Sequence, residues 1–439
     1  MPTGDGGRGT DEAPPVTSVP DPAESVEKTS VPLSPWRNVA VLAAAQALGM
    51  SAGPLVTLSG GIVGQALAPS PLLATLPITS LIIGVATCAV PAALLMGRIG
   101  RRAGFMTGAA IGMTGALLAA AATSAGSFAG FCAATFVMGA GAAFVQQYRF
   151  AAAESVGAAQ AGRAVSFVLV GGIVAGVLGP EIGRRGWLWF DTEFSGAFVV
   201  VAIVQLVAMV LLTLVRAPRP AAVPRHAMHA PRHVLQMLRR PPFALALAAG
   251  ATAYAVMSFI MTATPISMHV IDGHPVDDTA RVIQSHAIAM YAPSLVTGFL
   301  VDRLGVRRMM IAGTVGLMAC IAFTATSHAF IAYWTGLVLL GFGWNLLFIG
   351  GTVLLTRSYD PAERFRAQAA NDLAVFGSQA TASLASGAVL HQFGWTTMNL
   401  AAVPALLLVL VLIVLLGTRA FPREARSGPA RLGPAPPSL

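Results

Sequence analysis

Residues 309–356 read MMIAGTVGLMACIAFTATSHAFIAYWTGLVLLGFGWNLLFIGGTVLLT, an unbroken run with no Asp, Glu, Lys or Arg. A helix that crosses a bilayer needs about 20 apolar residues, so this run holds two such helices with Ser327-His328 as the turn between them. Working outward, the other charge-free stretches are 38–97, 103–148, 164–180, 194–215, 241–271, 282–301 and 373–418. Three of these are also long enough for two spans, with breaks at Ala68-Pro69-Ser70-Pro71, Ser124-Ala125-Gly126-Ser127 and His391-Gln392-Phe393-Gly394. Four double and four single stretches predict an all-α membrane protein of twelve transmembrane helices.

Composition agrees. Of 439 residues, 55% are hydrophobic and only 10% charged, with a mean hydropathy of +0.72, whereas a soluble domain carries about 25% charged residues. With the amino terminus inside, 23 of the 27 basic residues fall on the cytoplasmic side, against Arg184, Arg185 and Arg281 outside. This segregation predicts a multi-pass protein of a bacterial cytoplasmic (inner) membrane with both termini in the cytoplasm. The net charge of +9 then faces an anionic leaflet and is no argument for nucleic acid. Residues 1–35 and 419–439 read as cytoplasmic tails, the first disordered. Residues 216–241, rich in proline and carrying His226, His229 and His233, read as a linker between bundles at 36–215 and 242–418. The irregular spacing of those histidines does not suit a metal, and no metal or cofactor is expected.

The halves repeat. Gly97-Arg98-Ile99-Gly100-Arg101-Arg102 after the second helix matches Asp302-Arg303-Leu304-Gly305-Val306-Arg307-Arg308 after the eighth, and Gly139-Ala140-Gly141 matches Gly341-Phe342-Gly343. Repeats of this kind place a solute site near mid-depth, between the halves. On these residues the chain resembles the major facilitator superfamily of secondary transporters. Residues 298–308 are a near-complete copy of its Gly-x-x-x-Asp-Arg-x-Gly-Arg-Arg gating signature, displaced by one at Val306. The resemblance implies two pseudo-symmetric six-helix bundles and a gating set of Asp302, Arg303, Arg307 and Arg308, mirrored by Arg98, Arg101 and Arg102. Ala93 and Gly97 stand where the first copy would carry Gly and Asp, so the gating carboxylate is absent from that loop and the two copies are not equivalent. Gly176, Gly179 and Pro180 in the fifth helix resemble the exporters' Gly-x-x-x-Gly-Pro motif, one residue short, and are helix-packing candidates in any case. Thr135 replaces an arginine that many proton-coupled members carry. The stretches Gln284-Ser285-His286 through Met290-Tyr291-Ala292-Pro293-Ser294, Gly343-Trp344-Asn345 and Gln368-Ala369-Ala370-Asn371-Asp372 resemble a bacterial group that includes riboflavin-type importers, which implies an aromatic or flavin-like solute.

Polar groups at membrane depth supply the remaining candidates, since each is costly unless paired or facing water. Trp344 and Asn345 offer an aromatic face beside an amide; Gln46, Tyr254, Gln379 and Gln147 join them as solute-binding candidates. Asp372 shares a helical stripe with Phe376, Gln379 and Ser383 and is a candidate proton carrier, against the alternatives of a helix cap or a pair with Arg364 or Arg366. His286 could carry a proton or bind solute, or be held by a backbone carbonyl; Glu181 could carry a proton or pair with Arg184 and Arg185. Arg149 either snorkels to headgroups or closes a gate with Glu154. The single lysine, Lys28, and the lack of a Gly-x-x-x-x-Gly-Lys-Ser loop exclude ATP drive through such a loop within this chain. The expected function is proton-coupled movement of a small organic solute by a monomer in the lipid bilayer. A multidrug or metabolite exporter of the same fold and a transport-dead sensor or assembly partner are the alternatives, and an enzyme is not expected.

Overall fold

The computed structural model describes residues 35–156, 160–186, 194–216, 234–359 and 363–416. Both expected tails and most of the expected linker, with its histidines, lie outside the described residues.

Helices α1 (Trp36–Leu67), α2 (Pro71–Ile99), α3 (Arg101–Ser124), α4 (Phe128–Ala152), α5 (Arg163–Gly186) and α6 (Ser195–Leu212) are each long and apolar enough to cross a bilayer. Next come α7 (Pro241–Ile271), α8 (Val276–Tyr291, continued by Ser294–Leu304), α9 (Val306–Thr324) and α10 (Phe330–Thr356). The last apolar stretch, Arg366–Leu415, is two helices, because Gly394 leaves the helical region at φ 75°. These are α11 (residues 366–393) and α12 (residues 395–415). Ten apolar stretches thus resolve into twelve crossings, the tenth divided at Gly394 and α8 added. Helix α8 begins earlier than its charge-free stretch suggests, with Asp277, Asp278 and Arg281 inside its first turns. Asp372 likewise sits two turns inside its helix and is not a cap.

Within each bundle the helices close on glycine. A Cβ on Gly139 of α4 would lie 2.0 Å from the Leu81 carbonyl oxygen of α2, and one on Gly341 of α10 would lie 2.5 Å from the His286 carbonyl oxygen of α8. Gly141 meets the Gly112 backbone of α3 in the same way that Gly343 meets Leu317 of α9. In lipid there is little hydrophobic drive between helices, so such backbone contact supplies the packing attraction. The repeated turns match too: Gly100 has φ 84° and ψ 159°, Gly305 has φ 82° and ψ 151°. Only glycine takes that backbone without strain.

The two bundles meet along α1 with α7, α2 with α11 and α5 with α8. These contacts lie in the halves of the helices remote from the arginine clusters. Thr79 Oγ1 donates to Ser383 Oγ at 3.0 Å, Gly387 packs on Thr75, Gly61 packs on Ile266, and Arg184 reaches Asp277 at 3.6 Å. Toward the arginine face the same helices part, leaving Leu94 of α2 and Leu373 of α11 65% and 77% exposed. The molecule is sealed at one face and open at the other.

Gly139→Ala is expected to lower the thermal midpoint or the folded yield, at a cost of about 1–3 kcal/mol or more from overpacking. Gly298→Ala, whose Cβ would meet nothing within 4 Å, is expected to leave the midpoint unchanged in the same detergent melt.

Candidate functional site

A cavity of about 240 Å³ opens between the bundles below the seal. Its walls come from α1, α2, α4 and α5 on one side and α7, α8 and α11 on the other. Tyr254 of α7, Tyr291 of α8 and Phe376 of α11 give it aromatic faces; Gln146 of α4 and Gln379 of α11 give it amides. Met50, Met138, Met257, Met261 and Met290 make up much of the remaining surface. Thioether side chains are polarizable and adapt to ring edges, which suits a flat ligand. No carboxylate, lysine or arginine is among these wall residues, and His286 of α8 brings an imidazole to them. The nearest charges along these helices are at the mouth, Arg149 three residues beyond Gln146 in α4 and Asp372 four residues before Phe376 in α11.

Of the expected solute-binding residues, Tyr254 and Gln379 are on the cavity wall. Trp344 stands behind Tyr254: its ring stacks on Phe348 at 5.0 Å and meets Tyr254 edge-on at 5.1 Å, so it backs the wall without forming it. Its buried Nε1 has no partner. Asn345 is 1% exposed and fully engaged. Its Nδ2 donates to the Met290 carbonyl and to Ser294 Oγ, both at 2.7 Å, and its Oδ1 accepts from Thr297 Oγ1 at 2.8 Å. Those partners bracket Pro293, where α8 is interrupted, and Asn345 fills bonding capacity that the proline disturbs. Gln46 is buried between α1 and α5, its amide nitrogen against Met50 Sδ and its Oε1 without a partner. Gln147 is half-buried beside Gln146, which is the one on the wall.

Glu181 accepts from Arg184 Nη2 at 2.7 Å and pairs with Arg185 at 2.5 Å near the sealed face. His286 lines the cavity, and its Nδ1 bonds the Leu337 carbonyl at 2.8 Å. Asp372 is exposed at the mouth, with Asn371 donating to it at 3.4 Å. Glu154 pairs with Arg101 of α3, at 2.8 Å from Nε and 2.5 Å from Nη2, while Arg149 lies over the Phe150 ring at 4.9 Å. The Arg149–Glu154 gate is therefore not made in this state. Arg98, Arg102 and Arg308 are exposed; Arg303 covers Phe299 and Arg307 donates to the Val414 carbonyl. The side chain of Asp302 lies outside the described residues. Gly176 closes on Ala287 of α8, and Gly179, followed by Pro180, closes on the Ser51 carbonyl of α1, so this motif touches both bundles. Gln146 and Tyr291 were not among the expected binding residues. Gln146 is a polar group in an otherwise apolar helix, and Tyr291 lies in the stretch that resembles the riboflavin-type group; those were the available signals.

A family model described as Major Facilitator Superfamily matches residues 39–275 and 282–439. The chain is 42% identical over 385 residues to the riboflavin transporter RfnT of Brucella anthropi, covering 86% of this chain and 95% of that one. It is 30% identical over 383 residues to the uncharacterized MFS-type transporter YddS of Bacillus subtilis, covering 83% and 87%. Among solved structures, a D-xylose-proton symporter matches with a TM-score of 0.65 at 16% identity, covering 85% of this chain and 96% of that chain. FucP in its outward conformation matches with a TM-score of 0.58 at 14% identity, covering 86% and 98%. At these identities the structural matches carry the fold alone.

Asn345→Ala strands three partners, Thr297 buried and Met290 and Ser294 half-buried, and is expected to cost about 1–3 kcal/mol of stability. A melt against ligand titration will show a lowered midpoint for Asn345→Ala and, for Gln146→Ala, weakened solute binding at an unchanged midpoint.

Proposed function

We propose that this chain, which belongs to the Major Facilitator Superfamily, carries a flavin-like solute across the membrane by alternating access, coupled to protons. The observation that carries the reading is the wall of the cavity: three aromatic faces, two amides, five thioethers and one imidazole, with no carboxylate, lysine or arginine. A planar, uncharged heterocycle with hydrogen-bonding edges is complementary to such a surface, whereas a sugar would want more hydroxyl partners and an organic acid a cation. The 42% identity to a riboflavin transporter, over nearly its whole length, supports the same solute class.

For the coupling ion, Asp372 is the best-placed carrier. It lies at the mouth, faces Arg149 of the other bundle, and would be neutralised by that cation or by a proton according to how closely the mouth shuts. Glu181, tied to two arginines, has less freedom to exchange a proton. The arginine face is the cytoplasmic one in this reading, because 23 of the 27 basic residues segregate there. The open cavity then faces the cytoplasm, both termini are cytoplasmic, and the membrane is the inner one. The transporting unit is the single chain.

Proteoliposomes offered riboflavin are expected to show saturable uptake that rises with an imposed pH gradient. Tyr254→Ala and Gln379→Ala are expected to raise KM at least about tenfold, each removing a ring face or an amide bond. Asp372→Asn should lose the response to the gradient and keep exchange counterflow. Flux of another solute class with none for flavins would overturn the substrate assignment, and a gradient response intact in Asp372→Asn would overturn the coupling assignment.

A further inference from the structure

One matched position on the cavity wall is apolar in the first bundle and an imidazole in the second. The paired turns at Gly100 and Gly305 set an offset of 205 residues between α2 and α8. That offset equates Leu81 with His286, and the packing agrees: Gly139 closes on the Leu81 carbonyl and Gly341 on the His286 carbonyl. Both residues line the cavity. Leucine needs no partner there. Histidine brings two ring nitrogens to a site that is only 2% exposed, where an unpaired polar atom is costly.

One nitrogen is satisfied and in being so defines the other. Nδ1 lies 2.8 Å from the Leu337 carbonyl oxygen. A carbonyl can only accept, so Nδ1 holds the hydrogen and Nε2 is left with its lone pair. Nε2 is buried and has no hydrogen-bond partner among the described residues. No carboxylate or guanidinium pairs with the ring among the described residues.

We infer that His286 Nε2 is the acceptor for a ring N–H of the carried solute. The site then selects heterocycles that present an imide- or lactam-type N–H edge and rejects the same ring with that nitrogen alkylated. This rests on the flavin-carrying reading above, since the isoalloxazine ring carries one such N–H between two carbonyls. Amide and phenol hydrogens from Gln146, Gln379, Tyr254 and Tyr291 are present on the same walls for carbonyls of this kind. The inference asks no proton to move on or off His286. That separates it from the coupling role considered for this residue from the sequence.

The test compares riboflavin with its N3-methyl derivative, by quenching of flavin fluorescence, on full-length protein in nanodiscs. Wild type is expected to bind the parent at least about tenfold more tightly than the methylated ring. His286→Leu should weaken riboflavin by a similar factor and erase the preference; His286→Gln, which keeps an acceptor, should recover part of it. Equal binding of the two flavins by wild type, or a preference that persists in His286→Leu, would overturn the inference. A folded wild type that binds neither flavin sinks the flavin reading instead. The 15N spectrum of histidine-labelled protein then decides separately: a pyridine-type Nε2 at His286 keeps the acceptor in place, and a pyrrole-type Nε2 overturns it.

Discussion

Close approach of backbone to backbone at glycine holds each bundle together. Where Gly139 meets Leu81 and Gly341 meets His286, no side chain stands between the helices. A bilayer does not push apolar surfaces together as water does, so such crossings depend on short-range packing and tolerate little displacement. The bundles are for that reason stiff objects. The seam between them is of another kind: glycine against side chain at Gly61, Gly176 and Gly387, one hydroxyl pair at Thr79 and Ser383, Gln284 Nε2 donating to the Val177 carbonyl, and one long ion pair at the rim. Individual neutral hydrogen bonds contribute about 1 kcal/mol each, so two rigid bodies are joined by a weak, separable contact, which is the mechanical requirement for alternating access.

The cavity follows from that arrangement. It lies where the six helices of the seam diverge, and Ala287, which Gly176 touches, is part of its wall. Apolar walls with scattered amides keep water from being held tightly, while the charges that would hold it are confined to the mouth. Arg149 and Asp372 belong to different bundles, so their separation measures how far the mouth is open.

The helix count and the two-bundle layout were legible in the sequence because hydrocarbon thickness and charge segregation are one-dimensional properties. The repeat was legible for a related reason: glycine with a positive φ leaves a signature at Gly100 and Gly305 that no other residue replaces. The cavity was less so. In helices apolar all round, periodicity does not say which face looks inward, and neighbours such as Gln146 and Gln147 point about 100° apart. Tyr254 and Gln379 were legible because their helices meet the other bundle. Asn345 showed as a polar residue at depth, but its partners at Met290, Ser294 and Thr297 come from a proline-broken stretch whose path only the packing determines.

That broken stretch makes α8 a jointed rod. Its upper segment carries His286 and Tyr291 and rides on α5; its lower segment leads into the arginine turn at Gly305. Asn345 acts as the pin, fastening both segments to α10 at the joint. The piece that lines the cavity and the piece that leads into the arginine turn are thus hinged to a common post at α10.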